Sequence, residues 1–302
     1  MSAETAFRCA EAGQRLVPNL ADVALRPFGQ LTSRQFELIR DYARRCAGIA
    51  IADCKRMMVR RRLSKRVTAL GMASFDAYFA YLDGPGFERE RQPLINALTT
   101  NKTSFFREDH HFEHLSLETL PALLKRKAAQ GSRRLRIWSA GCSSGEEPYS
   151  IAMILSNAVP YINNWDARIL ATDIDTDILN RARKAQYPAE DGDAVPSGLR
   201  NQFMTAVPGS EGYVQVAAPI RNLVVFKALN LHDPWPMKGK FDVIFCRNVV
   251  IYFDKPTQRK LFGRFADALE DDGILYCGHS ESLFGLSTHF KPIGRSIYAR
   301  SG

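Results

Sequence analysis

From residue 135 onward, short apolar segments alternate with longer amphipathic ones. The apolar segments have the length of buried strands, and amphipathic segments such as residues 257–270 have the periodicity of helices. This alternation favours an α/β fold with a parallel, doubly wound sheet. Residues 187–222 interrupt it with prolines, glycines and one alternating run, which predicts a small inserted β-subdomain. The predicted sheet strands are 135–140, 168–172, 223–228, 241–246 and 273–278.

The part of the chain before the sheet has helical patterns only. Residues 31–90 contain several amphipathic segments, of which one spans about 55–70 and another can be capped by Ser74. We therefore predict an N-terminal all-helical domain over 31–90 and an α/β domain over 91–302. Residues 1–30 show no clear periodicity and are expected to form a flexible tail.

Composition excludes several classes of protein. No apolar run approaches the length of a membrane span, so no direct membrane insertion is expected. The six cysteines form no C-x-x-C pair, which argues against a zinc or redox site, and no metal is predicted. Scattered single cysteines fit a reducing compartment, so a cytoplasmic location is expected.

The net charge of +9 is concentrated in one segment. Residues 34–66 hold 11 Lys or Arg against 3 Asp or Glu, which predicts an acidic partner such as nucleic acid, anionic lipid or an acidic protein surface. In the predicted helix over 55–70, apolar residues fall on one face. The basic residues outside that stripe or flanking it are Arg60, Arg61, Arg62, Lys65 and Arg66.

A glycine turn follows the predicted strand over 135–140. Gly141 and Gly145 allow the backbone to approach a ligand closely, and a helix begins directly after them. The spacing differs from G-x-G-x-x-G, and Glu146 and Glu147 would repel a pyrophosphate. They suit a ligand with a positive centre, such as the sulfonium or amino group of S-adenosylmethionine. The alternative is that they only stabilise the helix N-terminus.

Polar residues follow two further strands. Asp173 ends one strand and can accept hydrogen bonds from both hydroxyl groups of a ribose, whereas Asp175 is better explained as a helix cap. Arg247 and Asn248 follow the apolar strand over 241–246. Open α/β sheets bind ligands at the carboxyl ends of their strands, so these residues are predicted to line a binding site.

Taken together, the motifs resemble the CheR chemotaxis receptor methyltransferases over about residues 31–300. The motifs are Asn101–Arg107 (N-x-T-x-F-F-R), Gly141–Ser150 (G-C-S-S-G-E-E-P-Y-S), Thr172–Asp175, Phe245–Phe253 (F-C-R-N-V-V-I-Y-F) and Gly278–Glu281 (G-H-S-E). The resemblance implies a Rossmann-like methyltransferase domain that uses S-adenosylmethionine. It also implies the product S-adenosylhomocysteine and, as the reaction, γ-methyl esterification of chemoreceptor glutamates in chemotaxis adaptation.

By motif position, the resemblance assigns roles to individual residues. Arg107 and Tyr252 are expected at the site of methyl transfer. The expected cofactor contacts are Asn101, Thr103, Arg107, Gly141, Gly145, Glu146, Asp173, Asn230, Leu231, Arg247 and Asn248. In some members the inserted subdomain binds a receptor C-terminal peptide, but the turn over 205–212 lacks their Arg-Gly-x-Gly pattern.

Two alternatives stay open on the sequence alone. A nucleic-acid methyltransferase would suit the basic segment, but its Asp-Pro-Trp-Pro element at 233–236 precedes a strand instead of following it, so no nucleic-acid partner is predicted. A non-catalytic sensor of S-adenosylmethionine is the second alternative. If the resemblance holds, the partner of the basic helix over 55–70 is the cytoplasmic helical region of methyl-accepting receptors, whose acidic face would complement it.

Overall fold

The computed structural model describes residues 28–159 and 161–301. Of the predicted tail over 1–30, residues 1–27 lie outside the described part of the chain. Within the described ranges, every helix is too short or too polar to cross a membrane.

Four helices form the N-terminal part, in the order α1 (Ser33–Ala47), α2 (Arg56–Ala69), α3 (Phe75–Leu82) and α4 (Phe87–Leu98). Thr32 caps α1 in a capping box with Gln35, and Ser74 caps α3 as predicted. The apolar stripes of the helices meet in one core, to which α2 contributes the fully buried Val59 and Leu63. Because α4 continues to Leu98, the helical part extends past residue 90.

The rest of the chain alternates between strands and helices. The helices are α5 (His110–His114), α6 (Leu120–Ala129), α7 (Glu146–Ala158), α8 (Thr176–Lys184), α9 (Ala189–Gly192), α10 (Ser197–Phe203), α11 (Ala218–Arg221) and α12 (Lys255–Ala268). The strands are β1 (Arg134–Ala140), β2 (Asp166–Asp173), β3 (Gln186–Pro188), β4 (Met204–Ala206), β5 (Tyr213–Val216), β6 (Val224–Ala228), β7 (Phe241–Cys246), β8 (Leu269–Cys277), β9 (Phe290–Gly294) and β10 (Ile297–Arg300).

Seven strands form the main sheet in the order β6-β2-β1-β7-β8-β10-β9. The first five are parallel, as predicted, and β10 is antiparallel to both of its neighbours. Strands β9 and β10 were not predicted, because β9 is largely exposed and lacks an apolar run. The chain order reverses between β1 and β7, and the crevice at such a reversal is where α/β sheets bind ligands.

The predicted inserted β-subdomain is a three-stranded antiparallel sheet, in the order β3-β5-β4. It packs against the main domain through Tyr187, Phe203 and Val216, which belong to the same core as the sheet. The Tyr187 hydroxyl donates to the Ser144 carbonyl oxygen at 2.8 Å. The insert therefore supports the glycine turn from behind.

Backbone and side-chain hydrogen bonds join the helical part to the sheet. Ile49 forms an antiparallel bridge with Phe253, and the Ala50 N–H donates to the Tyr252 carbonyl at 2.8 Å. The Asn230 amide donates to the Cys46 carbonyl at 2.7 Å. These bonds place α1 and the loop after it over the carboxyl ends of the parallel strands.

Candidate active site

A cleft lies between the carboxyl edge of the sheet and the helical part. Most residues that the sequence nominated for the site line it, as do Glu147, Leu98, Thr99 and Thr100. The nominated lining residues are Asn101, Thr103, Arg107, Gly141, Asp173, Asn230, Leu231, Arg247, Asn248 and Tyr252. Gly145 and Glu146 are outside the lining.

The glycine turn shapes one side of the cleft. Gly141 has φ of +85°, and a Cβ there would lie 2.3 Å from the Val249 side chain. Gly145, with φ of +100°, is the N-cap of α7, and a Cβ would lie 2.9 Å from the Tyr187 hydroxyl. Gly141 therefore borders the ligand space directly, whereas Gly145 acts by fixing the start of α7.

The two glutamates at the start of α7 have different surroundings. Glu146 is buried outside the cleft lining and accepts a hydrogen bond from the Ser144 hydroxyl at 2.7 Å, and its contact with the cofactor stays a prediction. Glu147 lines the cleft, where it accepts from the Ser139 hydroxyl at 2.7 Å and from Arg247 at 3.0 Å. Burial raises the pKa of both carboxyl groups. Successive side chains of a helix point about 100° apart, and the sequence pattern alone does not show which of the two glutamates faces the cleft.

Asp173 and Asp175 divide two tasks at the end of β2. Asp173 lines the cleft and accepts hydrogen bonds from the Ser143 N–H at 2.8 Å and the Asp175 N–H at 2.9 Å. Burial raises the pKa of Asp173. Asp175 caps α8, as predicted, and its second oxygen accepts from the Asn101 amide at 2.7 Å. Asn101 is thereby tied to the sheet.

Arg247 is buried between two carboxylates. It lies 3.0 Å from Glu147 and 3.3 Å from Glu108, and it also donates to the Arg107 carbonyl. Glu108, which the sequence reasoning missed, accepts from the His279 ring at 2.8 Å. Burial acts to raise the pKa of Glu108, but hydrogen bonding from His279 and the charge of Arg247 outweigh it, and the pKa falls to about 2.

Glu281 fixes the ends of β7 and β8. Its carboxylate accepts backbone hydrogen bonds from Gly278 at 2.7 Å, Asn248 at 2.8 Å and Ile251 at 3.3 Å. Burial raises its pKa. A Cβ on Gly278 would lie 2.6 Å from the Asn248 amide, so the strand end accepts only glycine without rearrangement.

Backbone strain is concentrated around the cleft. Of the seven non-glycine residues with positive φ in the described chain, four lie in or beside it: Phe106, Glu108, Ser143 and Asn248. Such conformations cost roughly 1–3 kcal/mol each and cluster at functional sites. Their hydrogen bonds, such as that of the Phe106 N–H to the Ser150 hydroxyl at 3.0 Å, hold them in place.

Arg107 and Tyr252, the nominated catalytic pair, both face the cleft. Arg107 is half-buried and donates one hydrogen bond to the Lys102 carbonyl at 2.9 Å. Tyr252 lies in the turn after β7 that pairs with the loop after α1. Asn230 also reaches the cleft, although its amide nitrogen holds the Cys46 carbonyl.

The basic residues of α2 do not form one surface. Arg61 and Lys65 are exposed, as predicted. Arg60 donates to the Gly29 carbonyl at 2.9 Å. Arg66 forms a two-pronged pair with the buried Glu90 at 2.7 Å, and Arg62 turns inwards. Of the five residues predicted to bind a receptor, Arg61 and Lys65 are the exposed ones and the other three are partly buried, so receptor binding by the five stays a prediction.

The element over 233–236 does not belong to the cleft. Trp235 packs edge-on against Trp138 at 4.7 Å between ring centroids, and the Arg264 guanidinium lies 4.0 Å from the Trp235 ring centroid. It precedes β7 and contributes no residue to the cleft lining. Its contacts are those of a structural element and do not favour a nucleic-acid methyltransferase.

The cleft residues fit S-adenosylmethionine. Gly141 lines the cleft with backbone alone, and Asp173 and Glu147 present carboxylates suited to a ribose and a positive centre. The sheet order, the glycine turn and the acidic residue at the end of β2 define a methyltransferase that uses S-adenosylmethionine. The family model described as the CheR methyltransferase, SAM binding domain, matches residues 101–299.

The chain belongs to the CheR methyltransferase family. A second model of that family, its all-alpha domain, matches residues 34–99. A probable chemotaxis protein methyltransferase of Rhizobium etli is 45% identical over 83% of this chain and 94% of its own. Chemotaxis protein methyltransferase 2 of Pseudomonas aeruginosa is 42% identical over 89% and 93%, and the Escherichia coli chemotaxis protein methyltransferase is 40% identical over 90% and 92%. The protein is a methyltransferase of chemotaxis.

Proposed function

We propose that the protein esterifies glutamate side chains of chemoreceptors, forming glutamate γ-methyl esters and S-adenosylhomocysteine during adaptation. The observation that carries this proposal is that Arg107 and Tyr252 share one cleft with the residues suited to the methyl donor. The relatives are chemotaxis protein methyltransferases, which supplies the link to chemotaxis. The acceptor chemistry is inferred from the side chains.

A carboxylate acceptor suits the groups that line the cleft. When bound, S-adenosylmethionine supplies an electrophilic methyl group that passes to the acceptor oxygen, while the electrons of the broken carbon–sulfur bond stay on sulfur and no proton moves. A glutamate side chain has a pKa of about 4.3 and is ionised near neutral pH, so it needs no general base. The described lining contains cationic and hydroxyl groups and no histidine. Its task is therefore to position reactants and control charge.

Arg107 and Tyr252 have separate proposed roles. A guanidinium has five N–H donors, and Arg107 directs one nitrogen to Lys102, which leaves donors to hold one acceptor oxygen. The Tyr252 hydroxyl orients the acceptor. The proposed cofactor residues are those nominated from sequence that line the cleft, with Glu147 in place of Glu146 and with Gly145 acting through the position of α7.

Tyr252→Phe tests the catalytic proposal. The variant should lower turnover, measured as labelled methyl in base-labile carboxyl esters of a receptor cytoplasmic domain. Its dissociation constant for S-adenosylmethionine should stay within twofold of wild type, because the hydroxyl acts on the acceptor. Tyr298→Phe, far along the chain in β10, is the control for loss of a tyrosine hydroxyl. Label in a base-stable linkage, or an equal loss of cofactor binding, would refute the proposal.

Arg61 and Lys65 are proposed to dock the acidic face of the receptor's cytoplasmic helical region. The double change Arg61→Glu with Lys65→Glu should slow receptor methylation strongly and leave cofactor affinity unchanged. Wild-type methylation should also weaken as salt rises, since exposed charges are screened over about 10 Å at 0.1 M. The matched control is Arg44→Glu with Arg45→Glu. Both residues are exposed near the end of α1, and the double substitution reverses the same amount of charge. Equal slowing by both pairs would show general charge repulsion instead of docking.

Two further parts of the proposal depend on the acceptor. In the proposed binding mode, a receptor C-terminal peptide pairs with an edge of the inserted sheet, where β3 and β4 each have one side without a partner strand in the described part of the chain. The turn over 205–212 departs from the pattern of peptide-binding members, so a titration with receptor tail peptides decides this point. Since the acceptor region of receptors is cytoplasmic, we propose that location for the enzyme.

A further inference from the structure

Arg62 points from α2 into the segment that leads to the cleft. Its guanidinium donates to the carbonyl oxygens of Leu98 and Thr99, each at 2.6 Å, and to the Thr100 hydroxyl at 3.0 Å. All three acceptor residues line the cleft. Arg61, one position earlier on the same helix, is exposed instead.

These bonds meet a specific need of the backbone. The last carbonyl groups of a helix have no partner within it, and a cation at the helix C-terminus is favourable. Helix α4 ends at Leu98, and the chain then runs over 99–104 without regular secondary structure. Arg62 therefore stabilises the end of α4 and fixes the direction in which the chain leaves it.

Other contacts hold the same segment from the sheet side. The Ser143 hydroxyl donates to the Asn101 carbonyl at 3.0 Å, and Asp175 accepts from the side chains of Asn101 and Thr99. From α2, Arg62 supplies the side-chain hydrogen bonds to this segment among the described residues. Burial lowers the pKa of Arg62, and the neighbouring Tyr252 acts in the opposite direction.

We propose that Arg62 is a positioning residue for the cofactor cleft and not part of the receptor-docking surface. By holding residues 98–100, it sets the wall against which S-adenosylmethionine binds. Helix α2 then has two functional faces: Arg61 and Lys65 face solvent for docking, and Arg62 faces the cleft. The positioning role of Arg62 requires only that the cleft binds S-adenosylmethionine, whereas the docking face of α2 rests on the proposed function.

Calorimetry with S-adenosylmethionine and no acceptor tests the proposal. Arg62→Gln should weaken binding at least fivefold, whereas Arg61→Gln, which removes the same charge from the same helix, should stay within twofold of wild type. Arg62→Lys keeps the charge but cannot donate to three acceptors in the same way, so it should also weaken binding. Wild-type cofactor affinity in Arg62→Gln, with a raised KM for receptor like that of Arg61→Gln, would overturn the proposal.

A second pair of variants separates positioning from general destabilisation. Arg66→Gln breaks the pair with Glu90 away from the cleft, so it should lower the unfolding temperature while the folded protein binds the cofactor normally. Thr100→Val removes one acceptor of Arg62 at an exposed position and should weaken binding about threefold with an unchanged unfolding temperature. If Arg66→Gln weakens binding as much as Arg62→Gln, or if Thr100→Val has no effect on binding, the proposal fails.

Discussion

The two walls of the cleft are built by different means. The sheet wall consists of Gly141, Asp173, Arg247 and Asn248, which lie at or directly after the ends of parallel strands. Within it, Arg247 and the Asn248 backbone bind buried carboxylates. The linker wall, residues 98–107, has no strand and no helix beyond Leu98, and it is held by side chains from α2, α7 and the ends of β1 and β2.

Because of this difference, substitutions in the two walls should have different effects on the stability of the protein and on ligand binding. A change in the sheet wall exposes or unpairs buried groups, so it should affect the free energy of unfolding as well as ligand affinity. Between its buried anchors Leu98 and Phe105, the linker wall is held by partly exposed hydrogen bonds, and segments held in this way open locally at low cost. Changes there should alter ligand affinity with little change in global stability.

The largest effect is expected from Arg247→Met in the sheet wall. The change leaves Glu108 and Glu147 buried without their cation, and breaking such a pair costs about 3–5 kcal/mol. Urea unfolding measures the loss. Arg40→Met is the control, because its pairs with Glu37 and Asp53 are exposed and should contribute less than about 1 kcal/mol. Similar losses in both variants would remove the distinction between the walls.

Asp173→Ala should weaken S-adenosylmethionine binding at least tenfold. A charge-assisted hydrogen bond to the ribose contributes about 1.5–3 kcal/mol, and calorimetry measures its loss. Asp177→Ala, an exposed change in the first turn of α8, should bind normally. Unchanged affinity in Asp173→Ala would refute the assignment of this residue to the cofactor.

His111 lies beneath the linker wall, 3.5 Å from Glu108, and it makes the stability of the protein depend on pH. Burial and the charge of Arg247 lower its pKa to about 3, so the folded protein keeps it neutral while the unfolded chain takes up a proton below about pH 6.5. This contribution to stability is therefore complete above pH 6.5 and is lost as the pH falls, at up to about 1.4 kcal/mol per unit.

The free energy of unfolding in urea is compared at pH 6.5 and pH 5. Both pH values lie above the range in which the carboxyl groups of unfolded chains titrate. Wild type should lose about 1–2 kcal/mol over this interval through His111. His111→Gln should lose less, whereas His289→Gln, at an exposed site, should behave as wild type. If His111→Gln lost as much unfolding free energy between pH 6.5 and pH 5 as wild type, another group would be responsible for the pH dependence.

The smallest effect is expected from Thr99→Val in the linker wall. The Thr99 hydroxyl lies 2.8 Å from the Asp175 carboxylate, and such a hydrogen bond contributes about 0.5–1.5 kcal/mol. Cofactor affinity in calorimetry should fall severalfold with the unfolding midpoint nearly unchanged. Thr205→Val, at an exposed site in β4, is the control. A stability loss without weaker binding would assign Thr99 to the core instead of the cleft.

The sheet wall could be predicted from sequence because the ends of buried strands can be recognised in it. An apolar run followed by Asp173 or by Arg247 predicts both the strand and the edge at which the polar group lies. The apolar stripe of α2 was also predicted correctly, since Val59, Leu63 and Val67 are buried. In each case the periodicity within one segment was enough.

The linker wall could not be predicted because its partners are distant in sequence. Arg62 and Arg66 look like solvent-facing charges until α4 brings the Leu98 carbonyl and Glu90 beside them. Glu108 takes its role from Arg247 and from a left-handed backbone that its residue type does not signal. The choice between Glu146 and Glu147 likewise depends on the rotation of α7 about its axis.

The contacts between the helical part and the sheet bear on how this protein could be divided. The two family models meet near residue 100, which suggests a place to separate two modules. A cut there would strip the Cys46 carbonyl of its Asn230 partner and would end the pairing of Ile49 with Phe253. The N-terminal fragment would take cleft residues 98–100, and the other fragment would keep 101–107 and the sheet wall. Truncation at this boundary therefore yields halves of a binding site, and chimaeras that exchange receptor specificity should replace the exposed face of α2 within the intact chain.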